Sequence, residues 1–306
     1  MAGRLLSIVA SSMISARSPW SGIAAMVSAT GLFIISDSMM KLVAHDLQSF
    51  QVLFMRGLFG LISCFGLVAV SGQLADLKGA LHWRSLVRAV CETSATFFYM
   101  VALSNMPIAD AIAIGQTAPL LVIIALCIIF RERIGPLRLI LVCTGFLGAV
   151  LVAQPDGSGL SPAAIFAFLT AMAVSTRDLV ARGVPTRIPP FVVTLMTTVI
   201  LTLATGYATV THEIWIAPQA WQWLTMAGSG FIVTIGQIAI FMSYRRAPAS
   251  VVAPYYYSFT LWAVAAGYIV WREVPNTLAL AGMALIVVSG LALLFIRAKR
   301  IEEAVA

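Results

Sequence analysis

The chain has 306 residues, of which 60% are hydrophobic and only 10% charged, with a net charge of +7 and a mean hydropathy of +0.97. A soluble domain carries roughly 25% charged residues, so this composition excludes a folded domain with an ordinary water-facing surface. The positive charge is spread over short breaks between apolar runs, which is the pattern of a membrane protein and not of a nucleic-acid binder.

The first apolar run, Leu5 to Ala16, is short and flanked by Arg4 and Arg17, and reads as part of an N-terminal extension over residues 1–19. Ten runs follow that are long enough to cross the roughly 30 Å of bilayer hydrocarbon as helices. They cover 20–43, 50–71, 83–105, 108–130, 136–154, 161–182, 190–210, 221–245, 249–271 and 277–297. Gly, Pro and Ser punctuate the breaks, as at Ser71-Gly72, Pro107, Gly135-Pro136, Pro189-Pro190 and Pro275. The alternating ten-residue segments of a membrane β-barrel are not seen. Spans 1–5 form one unit, 20–154, and spans 6–10 a second, 161–297, with 298–306 left as a tail.

Basic residues orient the spans. Fourteen of them, including Lys78, Arg84, Arg138, Arg245 and Arg297, fall on the side of the termini, against Lys41 and Arg272 on the other. The positive-inside rule then puts both termini in the cytoplasm. A second pattern relates the two units. Arg131-Glu132 returns 141 positions later as Arg272-Glu273, and the same offset carries Pro107 to Pro248, Asp37 to Asp178 and Thr93 to Thr234. Five spans per unit is an odd number, so the second unit enters the membrane from the opposite side. The expected fold is all-α, ten transmembrane helices in a 5+5 inverted-topology repeat, with a site near the midplane between the halves.

Polar groups in a bilayer core are costly, and each needs a partner or a task. Glu92 is the carboxylate nearest the middle of a span, and Arg88 precedes it by one turn. An intrahelical pair and a cavity carboxylate coupled to protons or substrate are both open readings. Asp37 and Asp178 occupy matching places near the ends of spans 1 and 6, each followed four residues on by a basic residue, Lys41 and Arg182. That spacing reads as an interfacial charge pair holding a helix end, with Arg56 also within reach of Asp37. Asp110, at the start of span 4, suits a helix N-terminus.

Spans 3, 4, 8 and 9 carry most of the remaining mid-membrane polar and aromatic groups. Span 3 has Glu92, Thr96 and Tyr99, and span 8 has Gln237. Span 4 has Gln116 and Thr117 before Pro119, and span 9 has Pro254 followed by Tyr255, Tyr256, Tyr257 and Ser258. A proline inside a span frees a backbone carbonyl and permits bending. Tyrosine hydroxyls at mid-depth require partners, from a wet cavity or from neighbouring helices. We take Glu92, Tyr99, Gln116, Gln237, Tyr257 and Ser258 as candidate substrate-binding residues, and Asp37, Pro119, Asp178 and Pro254 as hinge or structural residues. Small residues at Gly145, Gly148, Ala149, Gly282, Ser289 and Gly290 read as a packing edge or a dimer face. The four cysteines, all inside spans, read as small hydrophobes.

Each half opens its fourth span with Pro-x-x-x-Ala or Val, at Pro107 and Pro248, ends it with Arg-Glu, and has a glycine-bearing fifth span. These features resemble the drug/metabolite transporter superfamily, in particular its ten-helix EamA-type exporters, from Trp20 to Ile296. Within that group the chain is most similar to bacterial aromatic amino acid and methionine exporters. The resemblance implies a basket of helices in the bacterial inner membrane, with a central cavity lined by spans 3, 4, 8 and 9. Spans 1 and 6 contribute, and spans 5 and 10 lie outside.

The expected function is secondary transport by alternating access, exporting small amphipathic metabolites, amino acids first, with protons as a candidate coupling ion. The alternatives are a channel or facilitator and an intramembrane enzyme. The enzyme is disfavoured because His45, His82 and His212 fall in loops and no HExxH occurs. A Walker A sequence is absent, so this chain does not drive transport with ATP directly. The partners expected are a small-molecule substrate and the lipid bilayer, with no nucleic acid, metal or cofactor.

Overall fold

The computed structural model describes residues 19–130, 135–154, 160–181, 185, 188–247 and 249–305. The N-terminal extension before Pro19, Arg131-Glu132, Arg182 and Pro248 lie outside them. All regular structure among the described residues is helical. In chain order it comprises α1 (Pro19–Val43), α2 (Ser49–Val70), a 3-10 turn (Leu74–Leu81) and α3 (Trp83–Asn105). Next comes α4, in two pieces (Ile108–Gly115 and Ala118–Phe130), then α5 (Pro136–Ala153), α6 (Pro162–Ala181), α7 (Pro190–His212) and α8 (Ala220–Arg246). The ninth crossing, α9, has four pieces: Ala249–Val252, Ala253–Tyr257, Ser258–Ala266 and Gly267–Trp271. Last is α10 (Thr277–Val305), which runs on helically through most of the expected tail.

Nine helices among the described residues are long and apolar enough to cross a membrane. The tenth crossing is α9, whose pieces are each too short to count as one span. Its interruption follows from Pro254, which supplies no N–H and opens a 3-10 stretch over the tyrosines. In α4, Pro119 ends the regular ladder in the same way, and the Thr117 hydroxyl donates to the Ile114 carbonyl at 2.7 Å. The two breaks meet, because the Thr260 hydroxyl of α9 donates to Gln116 Oε1 of α4 at 2.6 Å.

The helices pair across the halves. α1 packs along α8, as α6 packs along α3; α2 lies on α7, and α5 on α10. Exchanging the halves maps this set of pairs onto itself, as an inverted repeat requires. Lipid offers helices no hydrophobic gain for associating, so close approach of small residues and short hydrogen bonds must hold these pairs. Ser36 of α1 and Ser229 of α8 join hydroxyls at 2.8 Å, and Ser229 donates to the Ser36 carbonyl at 3.1 Å.

Gly148 of α5 and Gly282 of α10 form a seam in which a Cβ on either would fall 2.6 and 2.5 Å from the other's carbonyl oxygen. These small residues therefore join α5 to α10 within one chain, where the sequence left a dimer face open.

The bundle has a near end, where α1 begins and α10 finishes, and a far end. The far end is closed by a continuous apolar core that includes Met40, Val52, Met55, Leu103, Ile108, Met226 and Ile286. It is bound at the rim by polar clamps. The Glu213 carboxylate, just past α7, accepts the Phe50 and Gln51 N–H groups at 2.8 and 2.9 Å, placing negative charge at the α2 N-terminus. Toward the near end the described residues form small separate clusters, around Val68 and Val192, around Met26 and Val252, and around Leu120 and Leu293. Between them the bundle is hollow.

Candidate functional site

The hollow is a cavity of about 670 Å³, walled by every membrane-crossing helix except α5; α10 contributes only Leu294. It runs from mid-bundle toward the near end. Beyond the six helices expected, α2 and α7 also line it, through Gly57 and Gly60 on one side and Thr194, Thr197 and Thr198 on the other. Small side chains on these two helices leave the space open.

Five of the six candidate substrate residues border this cavity: Glu92, Tyr99, Gln116, Gln237 and Tyr257. Ser258 does not; its hydroxyl is turned to Thr30 of α1 at 2.8 Å, because the 3-10 turn rotates it away from the cavity. Tyr257 lies at the wall, with its hydroxyl against Gly290 of α10, where any side chain would collide with the ring. Gln116 is buried, its Oε1 engaged by Thr260 while its Nε2 has no partner among the described residues. Gln237 Oε1 accepts from Thr194 at the limit of a hydrogen bond, 3.5 Å.

Of the residues read as hinge or structural, Asp37, Asp178 and Pro119 also border the cavity, and Pro254 does not. Asp37 is not paired with Lys41. Its Oδ2 accepts the Tyr99 hydroxyl at 3.0 Å, and Arg56 Nη1 stands 3.8 Å from its Oδ1. Lys41 reaches on to the far rim, donating to the Met106 carbonyl at 3.0 Å and pairing with Glu273 at 3.2 Å, with the Trp271 ring 5.0 Å away. A long lysine stem at a span end carries its charge toward the rim, and the free carbonyl at the end of α3 awaits it there. A left-handed turn at Arg272, after the π-turn that ends α9, brings Glu273 into position.

Glu92 likewise is not paired with Arg88. Its carboxylate accepts from Arg177 Nη1 of α6 at 2.7 Å, and the same guanidinium holds Asp178 Oδ1 at 2.8 Å. Arg88 instead donates to the Thr197 hydroxyl at 3.4 Å, and among the described residues no carboxylate lies within ion-pair distance of it. The cavity thus holds three guanidiniums, Arg56, Arg88 and Arg177, and three carboxylates, Asp37, Glu92 and Asp178. They come from both halves of the chain.

Arg177 was legible as a lone guanidinium inside a span, which hydrocarbon does not leave unpaired. Its partner could not be read, since Glu92 lies 85 positions earlier on another helix. Cys64, read as a packing residue, also borders the cavity, its sulfur 3.8 Å from the Thr234 hydroxyl. Among the described residues no three His, Cys, Asp or Glu side chains gather as metal ligands.

Exposure is graded along the cavity. The Asp37 side chain, at the closed end, is 10% exposed, Glu92 28% and Asp178 47%. The cavity therefore opens toward the near end, and the apolar core closes it toward the far end. Such an arrangement can take up a polar solute from one side only.

Comparison with known proteins places this architecture. The EamA-like transporter family model matches residues 20–154 and 161–296. The pseudopaline exporter CntI of Pseudomonas aeruginosa is 24% identical over 89% of this chain and 95% of its own length. A riboflavin transporter of Rhizobium johnstonii is 26% identical over 71% of this chain and 72% of its own. An S-adenosylmethionine uptake transporter of Rickettsia prowazekii is 21% identical over 88% and 90%. One solved crystal structure superposes with a TM-score of 0.65 at 19% identity, covering 93% of this chain and all of that one, which shows the fold alone. With both halves matched, the chain belongs to the EamA-like transporter family and is a multi-pass membrane transporter of small molecules.

Proposed function

We propose that the protein exports small amphipathic zwitterions, amino acids with bulky neutral side chains first among them, from the cytoplasm by alternating access. The observation that carries this reading is one cavity with both signs of charge and aromatic walls. Its volume of about 670 Å³ lies in the range of small-molecule sites, roughly 300–1,000 Å³. Arg88, whose hydrogen-bond partner among the described residues is the Thr197 hydroxyl, can bind a substrate carboxylate. Asp178 and Glu92 can receive an ammonium, while Phe33, Tyr99, Tyr256 and Phe259 offer apolar faces. Tyr99, Gln116, Gln237 and Tyr257 complete the proposed site, with Pro119 and Pro254 as its hinges. The relatives are named for three dissimilar molecules, so the amino-acid class rests on the cavity and not on them.

Both termini, and hence the near end, are proposed to be cytoplasmic, which makes this the inward-open state. The charge asymmetry of the sequence supports that orientation. Leu74→Cys, at the near end, should then react with an impermeant thiol reagent only from the cytoplasmic side, and Ile214→Cys only from outside. The opposite labelling would reverse the orientation and turn export into uptake.

Proteoliposomes test the substrate. Phenylalanine and methionine should show saturable flux and counterflow, whereas linear flux would indicate a channel. Gln116→Ala removes one buried hydrogen-bonding group, worth about 1 kcal/mol, and should weaken substrate affinity roughly fivefold with little change in expression. Unchanged affinity in Gln116→Ala and Tyr99→Ala together would remove these residues from the site.

A further inference from the structure

Asp37 and Asp178 are related by the 141-residue offset and stand on the first helix of each half, α1 and α6. Both face the same cavity, yet their surroundings differ. Asp37 sits at the sealed end, 10% exposed, held by Tyr99 and facing Arg56. Asp178 sits toward the open end, 47% exposed, against Arg177.

The helix pairs that close the far end, α1 on α8 and α2 on α8, have as repeat counterparts α6 on α3 and α7 on α3. Exchanging the roles of the halves closes the near end instead. The counterpart of Arg56 is Thr197, and the guanidinium that reaches Thr197 belongs to Arg88. A cation therefore already stands where the second half would need one to compensate a buried Asp178.

We propose that Asp37 and Asp178 exchange burial for exposure on every transport cycle, so that whichever end is open presents one carboxylate to the ammonium of the cargo. Asp178 receives the ammonium at the near end, and Asp37 is its last ligand at the far end. The ammonium part rests on the zwitterion reading above; the exchange of exposure does not. A buried carboxylate needs a charge partner to remain ionised without large cost, and each aspartate has one waiting on its own side.

The test uses the full chain with its native cysteines replaced by serine, carrying either Asp178→Cys or Asp37→Cys. An impermeant thiol reagent should label position 178 from the near side at least tenfold faster than it labels position 37 from either side. Adding Glu273→Gln, which breaks the far-rim pair with Lys41, should raise labelling of position 37 from the far side and lower that of position 178. Labelling that rises at both positions, or changes at one alone, overturns the proposal.

The second measurement keeps both aspartates testable without cysteine. Competition by phenylalanine and by 3-phenylpropionate, which lacks the ammonium, is compared on each face. Asp178→Asn should lower the preference for phenylalanine about tenfold on the near face only, and Asp37→Asn on the far face only. Equal loss on both faces overturns the assignment of sides. If the parent protein binds neither compound, the zwitterion reading fails, and the labelling still decides whether the aspartates exchange.

Discussion

Replacing Arg177 by methionine is expected to lower stability and abolish transport together. Its guanidinium contacts Glu92 at 2.7 Å and Asp178 at 2.8 Å, joining α3 to the end of α6. The substitution leaves the Glu92 and Asp178 carboxylates without the guanidinium they share. Breaking a buried pair costs about 3–5 kcal/mol, but these side chains are 22% and 28% exposed, so solvent screening reduces the expectation to roughly 1–3 kcal/mol. A thermal melt in detergent should show it.

Adding Glu92→Gln should return part of the loss, giving a coupling energy of about 1 kcal/mol or more in the double-mutant cycle. Transport should fall at least tenfold in Arg177→Met and remain low in the pair, since restoring packing does not restore the charge arrangement the cargo meets. A stable, active Arg177→Met protein would mean that the bridge does not form in the membrane.

Substituting Gly282 should act on stability and leave substrate affinity alone. Composition and spacing supported only the expectation that span 10 lies apart from the substrate path. At the α5–α10 seam the added Cβ of Gly282→Ala would lie 2.5 Å from the Gly148 carbonyl oxygen, a backbone atom that cannot rotate aside. The helices must separate, at a cost of about 1–3 kcal/mol for one methyl group and more for Gly282→Leu. Leu280→Ala, on the exposed side of the same helix, is the control and should melt within about 0.5 kcal/mol of the parent. Substrate affinity measured on folded Gly282→Ala protein should match the parent. If affinity drops while the melt is unchanged, α10 belongs to the binding site.

The fold was readable in the sequence because membrane crossing imposes a length and a composition on every segment, and those constraints are local. The interruptions at Pro119 and Pro254 were readable for the same reason, since proline acts on its own turn. Candidate cavity residues such as Tyr99 and Gln116 followed from depth along a helix, which sequence position supplies directly. Rotation about the helix axis was harder. Ser258 lies one residue beyond Tyr257, and the change to a 3-10 turn there sets which way it points.

Charge partners were the least legible. Local spacing offered Arg88 for Glu92 and Lys41 for Asp37, one turn away in each case. The structure takes Arg177 and Tyr99 instead, both from other helices, while the Arg56 expected within reach of Asp37 does stand beside it. In hydrocarbon an ionised group seeks the partner that best replaces water, and the i,i+4 neighbour on its own helix is only one competitor, worth a few tenths of a kcal/mol where it has been measured in water.

The interleaving of the halves has a consequence for biogenesis. Ser36 finds Ser229 across 193 residues of chain, and Glu92 finds Arg177 across 85. At a synthesis rate of about 5–20 residues per second, α1 waits on the order of ten seconds or longer for its packing partner to leave the ribosome. During that interval α1–α5 are inserted with Arg88 and Glu92 still lacking Thr197 and Arg177, which the second half supplies. The nascent first half is consequently an assembly intermediate, dependent on the insertion machinery or on water held near its charges. Ribosomal stalling before α6 leaves a fragment suited to quality-control proteolysis, whereas stalling after α8 leaves one that has already gained its main scaffold.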